Sequence, residues 1–195
     1  MSDDPRLVQS EERKIPTAAT FLSADSLEAG EPVEVQSADG SKETRIPVRI
    51  KAYSGGVYSH WYWGRVGVDL ESLKVPRKLI LLRDHYRGDP VVASTKITKD
   101  GVLEADGFIS RRTQSARELA GLLEDGVPFE ASTGIDLRGA RVVELQEGAA
   151  YTLNGSAVKG PLTVFENARL REVSITAFGA DGGTRTALSA AGEEE

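Results

Sequence analysis

The amino-acid sequence predicts a mainly β protein of the α+β class, with an antiparallel, β-barrel-like core and a few helices packed around it. Three observations lead there. From residue 45 onward the apolar residues recur mostly at every second position, the spacing of half-buried strands. Two such runs flank an Asp100-Gly101 pair, a strong hairpin signal because both residues tolerate positive φ. One segment, beginning at Ser115, carries clear helical spacing with its own start and stop signals. The competing arrangement is a two-layer α+β fold with an open sheet.

Residues 1–44 are polar and poor in aromatics, with Pro5, Pro16 and Pro32 scattered through them. They read as a flexible acidic arm, with one strand-like piece around 32–36. Residues 45–52 set Ile46, Val48 and Ile50 against Arg45, Arg49 and Lys51, a half-buried strand. Residues 64–70 and 78–82 give further strands, and 91–98 and 102–109 form the arms of the Asp-Gly hairpin. Ser115 is placed to cap the helix while Glu118, three residues on, reaches back in a capping box. Ala116, Leu119, Ala120, Leu122 and Leu123 make its apolar stripe, and Gly126 ends it where a left-handed residue is favoured. Strands at 129–137, 140–145, 162–165 and 169–177 complete the set. The domain is expected over 45–188, followed by a disordered acidic tail at 189–195.

Composition excludes several classes of chemistry. The chain has 195 residues, 39% of them hydrophobic and 28% charged, which suits one soluble domain with a proper core. It has no cysteine, so disulfides, cysteine nucleophiles, thiolate zinc sites and iron–sulfur clusters are ruled out. Two histidines make a multi-histidine metal site a poor expectation, and no metal or other cofactor is expected. Residues 1–44 hold ten Asp and Glu against four Lys and Arg, which accounts for the whole net charge of −6. A neutral body with an acidic arm has no electrostatic footprint for nucleic acid or an anionic membrane. No apolar run approaches the length of a bilayer span and no leader opens the chain, so a cytosolic protein is expected.

Three segments can carry chemistry. His85 follows the apolar strand 78–82 and precedes a Gly/Pro turn, where a rigid scaffold presents side chains to a cleft; the plainer reading is a surface or packed histidine. Asp84 is badly placed to orient it, because neighbouring strand residues face opposite ways. Ser132 lies in Phe129-Glu130-Ala131-Ser132-Thr133-Gly134, where small neighbours let a substrate backbone approach its hydroxyl. Thr133 and Gly134 are the expected oxyanion- and substrate-binding positions. Ser94 and Ser156 have poorer surroundings. Glu172 stands in an otherwise apolar strand, with Leu170 and Ser174 expected on its face, and there a carboxylate either faces solvent or meets a partner such as an imidazole. Glu130 is its rival, two residues from Ser132 on the same face. The Glu130–Glu172 pair lacks the aromatic platform of a glycosidase. His60, among Trp61, Tyr62 and Trp63, is the other candidate base, in a setting that suits packing or a contact surface.

Taken in order, these segments resemble the prohead serine protease family of tailed phages. The resemblance rests on the apolar strand ending in Asp84-His85, the helix with its Asp125-Gly126 exit, the Ser132-Thr133-Gly134 strand and Leu170-Arg171-Glu172-Val173-Ser174-Ile175. It covers about residues 45–188. It implies a core like that of the herpesvirus assemblin, with His85 as general base, Ser132 as nucleophile and Glu172 as third member. It implies an endopeptidase that cleaves scaffold and major capsid protein inside the procapsid, in the bacterial host cytoplasm, and it leaves self-association and self-cleavage open. The other function compatible with it is an inactive scaffold-binding module of capsid assembly with the same fold. The family's Pro-Ala-Asn segment after Glu-Val-Ser is replaced here by Phe178-Gly179-Ala180-Asp181.

Overall fold

A computed structural model describes residues 33–36, 42–179 and 185–188. The strands are β1 (Val33–Gln36), β2 (Lys42–Tyr53), β3 (Tyr58–His60), β4 (Gly64–Val68), β5 (Ile80–Arg83), β6 (Pro90–Thr98) and β7 (Leu103–Ile109). After the helix α1 (Gln114–Glu124) come β8 (Glu130–Asp136), β9 (Arg141–Leu145), β10 (Ala150–Leu153), β11 (Ser156–Lys159), β12 (Leu162–Glu166), β13 (Arg169–Thr176) and β14 (Arg185–Leu188). The protein is mainly β. Among the described residues α1 is the one helix, where a few were expected.

The larger sheet runs β1-β2-β7-β6-β5-β13-β8, with β14 also on β2. It curls into a half-barrel that brings β8 back toward β2 and β14, where a barrel-like core was expected. A four-stranded sheet, β3-β4-β12-β9, packs against it, and β10 and β11 form a separate hairpin. Most pairs are antiparallel, but β13 runs parallel to β5 and β12 parallel to β4.

Alternation explains where the strands put their side chains. Ile46, Val48 and Ile50 on β2 are buried, as are Leu103, Ala105 and Ile109 on β7. They share one core with Ala116, Leu119, Ala120 and Leu123 of α1 and with Val66, Val68 and Phe165 of the smaller sheet. The smaller sheet is buried on its other face too, where Val143, Leu145, Leu162 and Val164 meet Leu153 of the β10–β11 hairpin. Gly67 lies under that hairpin, and a Cβ there would come 2.4 Å from Leu153 Cδ2.

Several expectations need local correction. The strand-like piece at 32–36 is β1, and β2 begins at Lys42, inside the stretch expected to be arm. Residues 1–32 and 189–195 lie outside the described residues. The helix is capped by Thr113, whose Oγ1 accepts from Ala116 N–H at 3.1 Å, two residues before the expected Ser115. Glu118 is accordingly on the second turn, where its Oε1 accepts from Gln114 Nε2 at 2.8 Å. The helix end is as expected: Gly126 has φ 77, and Gly126 and Val127 N–H donate back to Leu123 and Leu122 carbonyls. In the β6–β7 turn only Gly101 uses positive φ.

Candidate functional site

Three neighbouring strands build the site. β13 lies between β5 and β8, so Ser174 is flanked by Leu82 on one side and Ser132 on the other. The parallel register with β5 matters most. It sets Arg83, the last residue of β5, beside Ile175, so the chain leaves β5 near the Thr176 end of the β8–β13 pair. There it turns sharply. Asp84 and His85 take φ 49 and 60, and Tyr86 N–H donates to Arg83 O at 2.9 Å, which makes a type I′ turn. Left-handed backbone is uncommon outside glycine, and Asp and His are among the residues that tolerate it. Asp84 N–H continues the pairing by donating to Ile175 O at 3.0 Å.

The turn lays His85 over β13. Its Nδ1 is 2.8 Å from Glu172 Oε1, its backbone N–H donates to Ser174 Oγ at 3.1 Å, and Ser174 Oγ donates to Glu172 Oε2 at 2.7 Å. These contacts close a ring that starts at the His85 backbone and returns to its imidazole. An ionised carboxylate only accepts, so Glu172 requires the proton on Nδ1 and leaves Nε2 as the basic nitrogen. The His85 and Glu172 side chains are 28% and 16% exposed, so the pair is partly buried yet open to solvent.

A β-bulge and a glycine make room for this. Leu170 pairs with Ile135 but Glu172 with the next residue, Gly134, leaving Arg171 as the extra residue. The bulge turns Leu170 to the opposite face from Glu172, where the sequence placed them together. Leu170 stays in the core while Glu172 faces the site. Gly134 lies within β8, directly across from Glu172, and not at an amide-presenting turn. A Cβ on it would come 2.5 Å from Glu172 Oε1, so its service is space for the carboxylate. Thr133 pairs with Val173, one residue out of phase with Ser132, so its fully buried side chain faces away from the site.

Ser132 is directly across from Ser174 and on the Glu172 face. Its Oγ is buried and makes no hydrogen bond among the described residues. The structure thus unites His85 with Glu172, sets Ser132 beside them by register, and leaves its hydroxyl unengaged. Glu130 is engaged elsewhere: Gly179 N–H donates to its Oε2. Asp84 lies 3.7 Å from Arg83 and is 59% exposed.

The second histidine belongs to another part of the molecule. His60 ends β3 in the smaller sheet, and its Nδ1 accepts from Tyr62 and Trp63 N–H at 3.1 and 3.2 Å. Burial pushes its imidazole below the ordinary value of 6.5. It holds its own turn together and is not poised as a base. Ser156 is exposed on β11, in the separate β10–β11 hairpin and outside the sheet that carries these groups. The residues missed from sequence are Ser174 as a hydrogen-bonding member and Gly134 as the space for Glu172. Alternation along Glu172-Val173-Ser174 carried the first signal.

Comparison with protein-family models, curated proteins and solved structures gives no match to this chain.

Proposed function

We propose that this chain is a serine endopeptidase of the prohead-protease kind, with an assemblin-like core, acting on scaffold and major capsid protein in a tailed-phage procapsid. The observation that carries the reading is the His85–Glu172 contact, which holds an imidazole at a strand end beside a serine-bearing strand. Ser132 Oγ attacks the scissile carbonyl carbon as His85 Nε2 takes its proton. Glu172 holds Nδ1–H and favours the imidazolium that forms. The C–N bond then breaks, Nε2 returns the proton to the leaving amine, and water repeats the sequence to release the acyl group. Proton transfer of this kind is worth roughly 10²–10⁴-fold. The reading requires Ser132 Oγ to come within reach of Nε2 as substrate binds, since such contacts are often loose in the free enzyme.

A second reading has one observation in its favour. The buried, unbonded Ser132 hydroxyl suits an inactive scaffold-binding module of capsid assembly that keeps the fold without the chemistry. A fluorophosphonate separates the two. An enzyme is labelled at Ser132, and Ser132→Ala and His85→Ala lose the label while keeping the wild-type circular dichroism spectrum. Incubation with scaffold and capsid proteins then yields new fragments from wild type alone. A folded wild-type protein that neither takes the label nor cuts these proteins under assembly conditions is the module.

A further inference from the structure

We propose that Ser174 is a positioning residue of this site, fixing the tautomer and orientation of His85 through both ends of the hydrogen-bonded ring. The inference rests on the protease reading for its catalytic consequence, but its structural content stands apart from activity. A serine hydroxyl has one proton to give, and here it goes to Glu172 Oε2, which turns a lone pair toward the His85 N–H. Ser174 is fully buried, so water does not take over either bond when the hydroxyl is removed. One side chain therefore ties down two things at once. It anchors the second carboxylate oxygen, so that Oε1 remains aimed at Nδ1. It also anchors the backbone of a residue at φ 60, which the left-handed turn alone holds at a cost.

Neither Ser132 nor the substrate needs to touch Ser174 for this to matter. Without the hydroxyl, Glu172 is free to swing about its side-chain torsions, and the His85 turn loses the bond that seats it on β13. The imidazole then samples both neutral tautomers and a wider range of positions. Misplacement by about an ångström costs on the order of 10²-fold in rate.

The chain has two histidines, and the structure assigns them opposite tautomers, which makes the test direct. His85 carries its proton on Nδ1 against the carboxylate, whereas His60 uses Nδ1 as an acceptor and carries its proton on Nε2. Long-range ¹H–¹⁵N correlation spectra of the full chain above the imidazole titration read both. Wild type is expected to show one ring of each kind. Ser174→Ala is expected to move the His85 nitrogens toward the averaged shifts of mixed tautomers, leave His60 unchanged, and slow fluorophosphonate labelling on the order of 10²-fold. If Ser174→Ala does not fold, Ser174→Cys, with a weaker donor of similar size, is read in its place and shifts in the same direction. Unchanged His85 nitrogens and an unchanged labelling rate in a folded variant overturn the inference while leaving the protease reading intact. The expected tautomer change in a protein that never takes the label keeps Ser174 as the positioning residue and overturns the protease reading.

Discussion

Gly134 is where strand β8 and the Glu172 carboxylate claim the same space, and the outcome of substituting it follows from which of the two yields. The atoms a new Cβ would meet are Oε1, Cγ and Cδ of Glu172, side-chain atoms and not backbone. Gly134→Ala is therefore expected to push the carboxylate off His85 while the strand stays put. Stability falls by about 1–3 kcal/mol as the Glu172 bonds to His85 and buried Ser174 are lost, and labelling of Ser132 slows on the order of 10²-fold. A thermal melt alongside the labelling rate checks this, and a variant that labels normally would show that Glu172 has room to spare. His60 gives a prediction of opposite character, in which pH and not space decides. Burial lowers its folded pKa below 6.5, so the unfolded chain takes up a proton first as pH falls. The stability contributed by neutral His60 is complete above about 6.5 and is lost progressively below it. Protonated Nδ1 would also abandon the Tyr62 and Trp63 amides. Urea denaturation is expected to show a smaller stability loss in His60→Ala than in wild type between about pH 7.5 and about pH 5.5.

The β10–β11 hairpin shows how one residue of a turn can hold three segments. Asn154 takes φ 48 and, with Gly155 at 83, makes the two-residue loop. Its Oδ1 accepts from Leu70 N–H, and its Nδ2 donates to Gly55 O and Val68 O, all at 2.8 Å. Asn154→Ala removes all three bonds and the left-handed tolerance together, and urea denaturation is expected to show a loss of about 2–4 kcal/mol. A loss under about 1 kcal/mol would mean that water replaces the amide. The same element marks a limit of local reading. The Asn154-Gly155 signal and the alternation of Ala150–Leu153 stand in the sequence, but Ser156–Lys159 is mostly exposed and lacks alternation. By contrast β2, the β6–β7 hairpin and the exit of α1 were legible because alternation, a turn glycine and a left-handed cap are local causes. The helix start was not, since Thr113 and Ser115 both offer capping hydroxyls. At the site, the position of His85 at a strand end before a turn and the carboxylate in an apolar strand pointed to their partnership. The Arg171 bulge, which moves Leu170 to the other face, leaves no comparable mark in the residues.

At the scale of the whole molecule the two parallel pairings, β5–β13 and β4–β12, join segments remote in sequence, and no residue pattern announces them. Each lies within one sheet; it is the packed side chains that make the two sheets faces of one core, and Tyr53 is the bolt between them. Tyr53 ends β2 in the larger sheet and is fully buried, and its hydroxyl accepts from Val68 N–H of the smaller sheet at 3.0 Å while donating to Gly56 O. Nearby, Trp63 packs edge-on against Phe165, with ring centroids 5.3 Å apart. A shared core of this kind unfolds as a unit, because exposing either sheet uncovers apolar surface of the other. Both tryptophans of the chain, Trp61 and Trp63, lie in the β3–β4 turn, so their fluorescence reports the smaller sheet, whereas far-ultraviolet circular dichroism reports both. The two signals are expected to give coincident denaturation midpoints in wild type. Tyr53→Phe keeps the ring but leaves the Val68 N–H buried without its acceptor, at a cost of about 1–3 kcal/mol. If the sheets share one core, that cost moves both midpoints together and by the same amount. If fluorescence alone moves to lower denaturant while the dichroism keeps a second, unshifted transition, the sheets fold separately and Tyr53 is a local contact of the smaller one.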